Sequence, residues 1–297
     1  MSDAGASSSA DSHASTRDEM LLYGVLSASI LAAMLLLLST TARLDEVLLF
    51  GYVAAASCAA SVSLLLFWRF RVRPRLAAGR PAADLQYLEN SFITLFVSTA
   101  APAFAIAAML ETPMSPVAAP SSTALVALGI SMGYMAFDLV WLLQHPELGT
   151  PIILGHHVLS LSGFPYAMLK HLCVPFVLFF ILTEVTGLPQ HARMMMLKLG
   201  REAAPLYILV GVGWTLSFFL VRILPTPFLL QQLVWAESSR RGWAEREVAP
   251  FDAWFAALTV PLPFVLNLYW FYLLVAGALK VLRKGSAKGG SGARMLI

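Results

Sequence analysis

Polar residues are scarce along most of this chain and cluster between long apolar runs. The runs cover 20–39, 47–67, 85–109, 124–143, 152–169, 172–189, 206–224 and 251–279. Most reach the roughly 20 residues that a helix needs to cross about 30 Å of hydrocarbon. Hydrophobicity within a run is continuous rather than alternating, which argues against a β-barrel. In lipid, a helix satisfies its backbone groups internally, so eight transmembrane helices are expected. The fifth and sixth are short and divided only by Lys170 and His171. Pro102, Pro165, Pro175, Pro261 and Pro263 fall inside runs, where they are expected to kink helices without ending them.

The flanks differ. Residues 1–19 are polar and Ser/Ala-rich and read as a disordered tail, lacking the basic start and apolar core of a signal peptide. From Lys280 onward the chain is basic and Gly/Ser-rich and reads as a flexible tail. The expected organisation is a tail at 1–19, two accessory helices and a basic loop over 20–83, a helical core over 84–284, and a basic tail over 285–297. The PFLLQQLVW stretch after Pro225 is expected to lie along the membrane interface.

Composition narrows the class. Of 297 residues, 58% are hydrophobic and 12% charged, about half the charged fraction of a soluble domain. A soluble enzyme, a disordered regulator and a nucleic-acid binder are thereby disfavoured; the expected partners are membrane lipids and fatty-acyl chains. The net charge of +3 is distributed unevenly. Across eight spans, fourteen of the twenty Lys and Arg residues gather on the side of the termini, including the Arg-rich WRFRVRPRLAAGR. Five fall on the other side and Arg222 lies within a span, so both termini are expected in the cytosol. Cys58 and Cys173 sit in apolar runs, which indicates neither a disulfide framework nor a Cys-based metal site.

The exceptions inside the spans carry the chemistry. A charged group at a helix centre costs on the order of 3 kcal/mol on insertion scales, so it faces a partner or a wet cavity. Glu89, Asn90, Asp138, His156, His157 and Glu184 all fall about five residues from the expected cytosolic ends of four successive spans. At 1.5 Å per residue they share a level about 7–8 Å deep. Tyr134 and Asp138, spaced i,i+4, share a helix face, whereas His156 and His157 point about 100° apart. An imidazole beside a carboxylate suits proton transfer or attack on an acyl carbonyl. The same residue types can hold zinc or iron, but the spacing is not HExxH and no metal site is assigned. Interhelical hydrogen bonding alone would also account for such residues. His145, His171 and His191 are expected to be solvated, and Arg222 to reach outward from its span. His157, His156, Asp138 and Glu184 are the candidate catalytic residues; Tyr134, Glu89, Asn90, Asn267 and Arg222 are the candidate lipid-binding residues.

In order, GYMAFDLVWLL (133–143), HHVLSL (156–161), LTEVTGLP (182–189), FFLVRILPTP (218–227) and NLYWFY (267–272) resemble the TLC-domain family, which contains the ceramide synthases. LENSFITLFVST (88–99) resembles that family's first core helix, with Ser98 and Thr99 where a His is often found. The resemblance implies an all-α, six-helix core around a central cavity that holds an acyl chain. His156 and His157 match the paired His of the acyl-transfer site of ceramide synthases. Those enzymes carry an HD pair on the next helix, where this chain has Glu184 in LTEVTG. Glu184, Thr186 and Pro189 bring the chain closer to the smaller TLC-domain proteins of lipid homeostasis and trafficking. The resemblance thus implies a lipid-handling protein of the endoplasmic reticulum and admits an acyltransferase using acyl-CoA as co-substrate, with no bound cofactor. The alternative is a non-catalytic lipid binder, sensor or trafficking protein. A homodimer is left open.

Overall fold

The computed structural model describes residues 21–36, 42–234 and 248–287, with the side chains of 234, 253, 256–258 and 280–287 left aside. All regular structure among these residues is helical. Seven helices are long and apolar enough to cross a membrane. They are α2 (Leu44–Leu76), α3 (Ala82–Glu111), α4 (Ser122–Gln144), α5 (Pro151–Leu169), α6 (Val174–Lys198), α7 (Pro205–Leu233) and the Pro261–Leu279 part of α9, which runs from Pro261 to Ala287. The described part of the first expected span is helical, α1 (Leu21–Leu36), and α8 (Pro250–Thr259) precedes α9. The protein is a polytopic all-α membrane bundle.

Local chemistry sets many of the helix boundaries. Ser121 caps α4 by accepting from the Ala124 N–H at 3.1 Å, and Thr150 caps α5 by accepting from Ile153 at 3.3 Å. Pro151, Pro175 and Pro205 occupy first turns, where a missing N–H costs nothing. Pro102 and Pro165 stay inside α3 and α5 as expected. Pro261, in contrast, divides the expected 251–279 run into α8 and α9.

Several helices run further than expected. The apolar pattern ends the sixth span at Pro189, yet α6 continues to Lys198. A 3-10 turn over Glu184–Thr186 interrupts the i→i−4 ladder just before that proline, which therefore falls in a first turn. PFLLQQLV, expected along the interface, extends α7. Helix α9 likewise continues to Ala287, beyond Lys280 where the tail is expected to begin, while residues 1–19 lie outside the described residues.

Helix α4 is the centre of the bundle. Of its most apolar stretch 83% is buried, against 17% for α7 and 22% for the membrane-crossing part of α9. It packs against α2, α3 and α5, and α6 packs against α3 and α7. The approach of α2 to α4 is close because Gly129 and Gly133 repeat at i,i+4. A Cβ at Gly133 would strike the Ala54 carbonyl and lie 2.8 Å from Ser57 Cβ. Ser57 Oγ donates across the same seam to the Ile130 carbonyl at 2.7 Å. Small residues matter here because two apolar helices in lipid gain little from hydrophobicity and associate through close packing.

Candidate functional site

Helices α3 and α4 each present two polar residues one turn apart, and these pair across the interface. Asn90 Nδ2 donates to Asp138 Oδ1 at 2.5 Å. One turn away, the Thr94 and Tyr134 hydroxyls are 2.7 Å apart. Asp138 uses its second oxygen toward α5, 2.8 Å from His157 Nε2. His157 Nδ1 lies 2.9 Å from the Ile153 carbonyl, which can only accept, so that nitrogen carries a hydrogen. Both ring nitrogens of His157 are therefore occupied. Asn90, Tyr134, Asp138 and His157 are one network, as their positions near the helix ends suggest.

His156 faces the other way. Its ring meets Trp270 of α9 edge-on at 5.5 Å between centroids, and its Nδ1 is buried without a hydrogen-bond partner. It lines a narrow cleft together with Glu184, Arg222, Asn267 and Trp270, floored by Phe164 and Phe180.

Arg222 departs most from expectation. Rather than reaching outward, it is buried and turned into the bundle, where Nε donates to Thr186 Oγ1 at 2.8 Å and Nη1 to Asn267 Oδ1 at 3.0 Å. Nη2 donates to the Thr183 carbonyl at 2.9 Å and lies 3.8 Å from Glu184 Oε1. Two features make this reach workable. Arg222 sits in a π-helical turn, Phe219–Ile223, whose extra residue re-aims the side chain. The 3-10 turn in α6 presents Thr183 and Thr186 toward it. Glu184 thus belongs with Arg222 and Asn267, deeper along its helix than a span ending at Pro189 implies.

Glu89 is engaged elsewhere. It accepts from Arg69 Nε at 3.2 Å and Nη2 at 3.1 Å, and from the Trp141 indole at 3.2 Å, so it ties α2, α3 and α4 together. Arg69, which the sequence pattern assigns to a basic surface loop, also lies in a π-helical turn, Trp68–Val72. The histidines expected to be solvated each meet a partner within the protein. His145 is buried, with Nδ1 2.8 Å from the Trp141 carbonyl. His191 lies 3.0 Å from Ser91 Oγ within the α3–α6 interface. His171 lies 2.8 Å from Glu46 Oε2. Sequence reasoning also misses Thr94 and Thr183, whose only signal is a hydroxyl at helical spacing from a charged or amide residue; Thr186 enters it only through the family resemblance, without a role at the site. Among the described residues no group of three or more His, Cys, Asp or Glu side chains converges in a way that would hold a metal ion.

The arrangement offers one imidazole with an open nitrogen, one guanidinium with N–H donors beyond the three engaged, and a carboxylate beside it. That combination can accept a proton and stabilise a developing oxyanion.

Comparison with known proteins supplies the family. The chain is 30% identical over 162 residues to the TLC domain-containing protein 4 C of Dictyostelium discoideum, an alignment covering 51% of this chain and 55% of that relative. The chain therefore spans about half the length of the curated relative it matches. No solved structure matches. A family model for the TLC domain matches residues 88–276, well over half of the chain, and takes in every residue of the network and the cleft described above: this protein belongs to the TLC-domain family.

Proposed function

We propose that this protein handles acyl lipids in an internal membrane, the endoplasmic reticulum, with both termini in the cytosol, and that it transfers an acyl group from acyl-CoA to a lipid acceptor at the His156 cleft. The observation that carries this reading is the buried, unpartnered Nδ1 of His156 in a cleft shared with Arg222. Sequence grounds favour His157 as the base; its two occupied nitrogens pass that role to its neighbour. In the proposed step the acceptor hydroxyl or amine gives its proton to His156 as it attacks the acyl carbonyl carbon. The new C–O or C–N bond forms and the C–S thioester bond breaks. The departing thiolate takes the proton back from the imidazolium. Arg222 directs its spare N–H groups at the carbonyl oxygen while negative charge develops there, and Glu184, Thr186 and Asn267 hold the guanidinium in place. The His157–Asp138 pair positions the start of α5, and with it His156.

The test is acyl transfer by purified protein in nanodiscs, supplied with labelled acyl-CoA and a panel of lipid acceptors. The proposal expects His156→Gln to lose about 10²–10⁴-fold in turnover, the usual contribution of a positioned acid–base group. Equal turnover in wild type and variant would end it.

A second reading, a non-catalytic lipid binder, sensor or trafficking protein, is favoured by the narrowness of the cleft and by how fully its polar groups bond to one another. It expects co-purified lipid whose acyl composition shifts when cleft residues change, with no product formed. Lipidomics of cells with and without the gene separates the two: one depleted product class supports the enzyme, and a diffuse compositional change supports the binder.

A further inference from the structure

A second buried arginine lies outside the cleft. Arg193 is on α6, nine residues beyond Glu184 and so about 14 Å further along the helix. Only 3% of it is exposed. None of the ion pairs between described residues includes it. Its contacts are instead with the faces of two aromatic rings on α7. Its Cζ is 4.6 Å from the Tyr207 centroid and 5.9 Å from that of Trp214.

Those partners are spaced to receive it. Tyr207, Gly211 and Trp214 fall at i, i+4 and i+7 and form one stripe on α7. Gly211 makes the approach possible: a Cβ there would lie 3.0 Å from Arg193 Nε and 3.3 Å from Cδ. The π faces offset part of the charge's desolvation but accept no hydrogen bond of ordinary strength. Accordingly Arg193 Nη1, the Tyr207 hydroxyl and Trp214 Nε1 are all buried without partners. One such atom is ordinary, but three unpartnered donors on one helix–helix seam, one of them charged, suit an oxyanion. The nearby turn residue Glu202 also has a buried, unpartnered oxygen, yet it does not pair with Arg193.

Depth and surroundings select the kind of oxyanion. Arg193 lies five residues before the end of α6 at Lys198, about 7–8 Å in from that terminus. That is the level of phosphodiester and ester groups when the helix end meets the interface. The outer face of α7 is lipid-like in character, with Ile208, Leu209, Val212 and Leu216 all exposed. A ligand that reaches Arg193 along this face arrives by the hydrocarbon side.

We propose that Arg193, Tyr207 and Trp214 form a binding site for the phosphate of a membrane phospholipid, on the α6–α7 hairpin and separate from the His156 cleft. The half-buried Trp214 is its lipid-side rim, and its indole must swing to admit the headgroup. The phosphodiester's unesterified oxygens accept from the guanidinium, the phenol and the indole.

Native mass spectrometry of the full chain in detergent tests this, using phosphatidylglycerol, diacylglycerol with the same acyl chains, and inorganic phosphate as probes. The wild type is expected to retain the phospholipid about tenfold or more over the diacylglycerol, as hydrogen bonds to a charged group imply. Arg193→Met is expected to abolish that preference. Tyr207→Phe and Trp214→Phe, which keep the ring packing, are each expected to weaken it several-fold with little change in Tm. Equal retention of diacylglycerol, or full preference in all three variants, would overturn the site. Displacement of the phospholipid by millimolar inorganic phosphate alone would overturn its assignment to a lipid.

Discussion

Asp138 offers the sharpest test of the network, because two substitutions of similar size separate its hydrogen bonding from its charge. It accepts from Asn90 with one oxygen and meets His157 with the other, at 2.5 and 2.8 Å. In Asp138→Asn the amide oxygen still accepts from Asn90, and the amide nitrogen can donate to His157 Nε2. That requires His157 in the tautomer with hydrogen on Nδ1, which its bond to the Ile153 carbonyl already enforces. Every partner stays satisfied, so the expected destabilisation is about 1 kcal/mol or less. Asp138→Leu strands both the Asn90 amide and His157 Nε2 in the bundle interior. A buried group left unsatisfied costs about 1–3 kcal/mol, so two give roughly 2–6 kcal/mol. Interhelical bonds measured within membranes average nearer 0.6 kcal/mol, which sets the expectation toward the lower end, about 2 kcal/mol. Unfolding of the purified protein in mixed micelles, titrated with sodium dodecyl sulfate, reads the difference directly. The expected order is wild type, then Asn close behind, then Leu well below. Leu equal to Asn would refute the reasoning, because it would mean the bonds hold nothing that lipid or water does not replace.

Three further outcomes follow from the packing. Gly133→Leu should force α4 away from α2, since even a Cβ there meets the Ala54 carbonyl and Ser57; overpacking of this kind costs about 1–3 kcal/mol or more, read in the same titration, whereas Gly155→Ala, in open space inside α5, should cost nothing. Glu89→Leu should cost about 3–5 kcal/mol by removing the carboxylate to which Arg69 and the Trp141 indole both donate, and adding Arg69→Leu should recover the part that belongs to the ion pair; a double variant no better than the single one would exclude the ion pair as the cause. Cys173 is wholly buried in the α5–α6 turn, so a membrane-permeant maleimide should label it only after denaturation, and labelling of the folded Cys58→Ser protein would count against the tight packing of that turn.

How much of this is legible in the chain depends on whether a property is set by a segment or by its neighbours. Helix type is readable, because a long apolar run in lipid has no alternative to satisfying its own backbone, whereas the exact division of the runs is not: Pro261 splits the last one. The gathering of Asn90, Tyr134, Asp138 and His157 is readable too, since each lies a countable distance from a well-marked helix end. So is the TLC-domain resemblance, carried by short strings in a fixed order. Placement fails where an end is misjudged. Pro189 reads as a stop, but the preceding 3-10 turn has already opened the ladder, so α6 runs on, carries Glu184 to Arg222, brings His191 to Ser91 and buries Arg193. Direction around the helix axis is decided by the tertiary structure alone. Helical geometry sets the 100° between His156 and His157, but only the packing of α4 on one side and α9 on the other determines which imidazole is tied down and which is open. The same holds for Arg69 and Arg222: a π-helical turn adds one residue to the local period and swings each guanidinium inward, to partners 20 and 45 residues away that no local pattern could name.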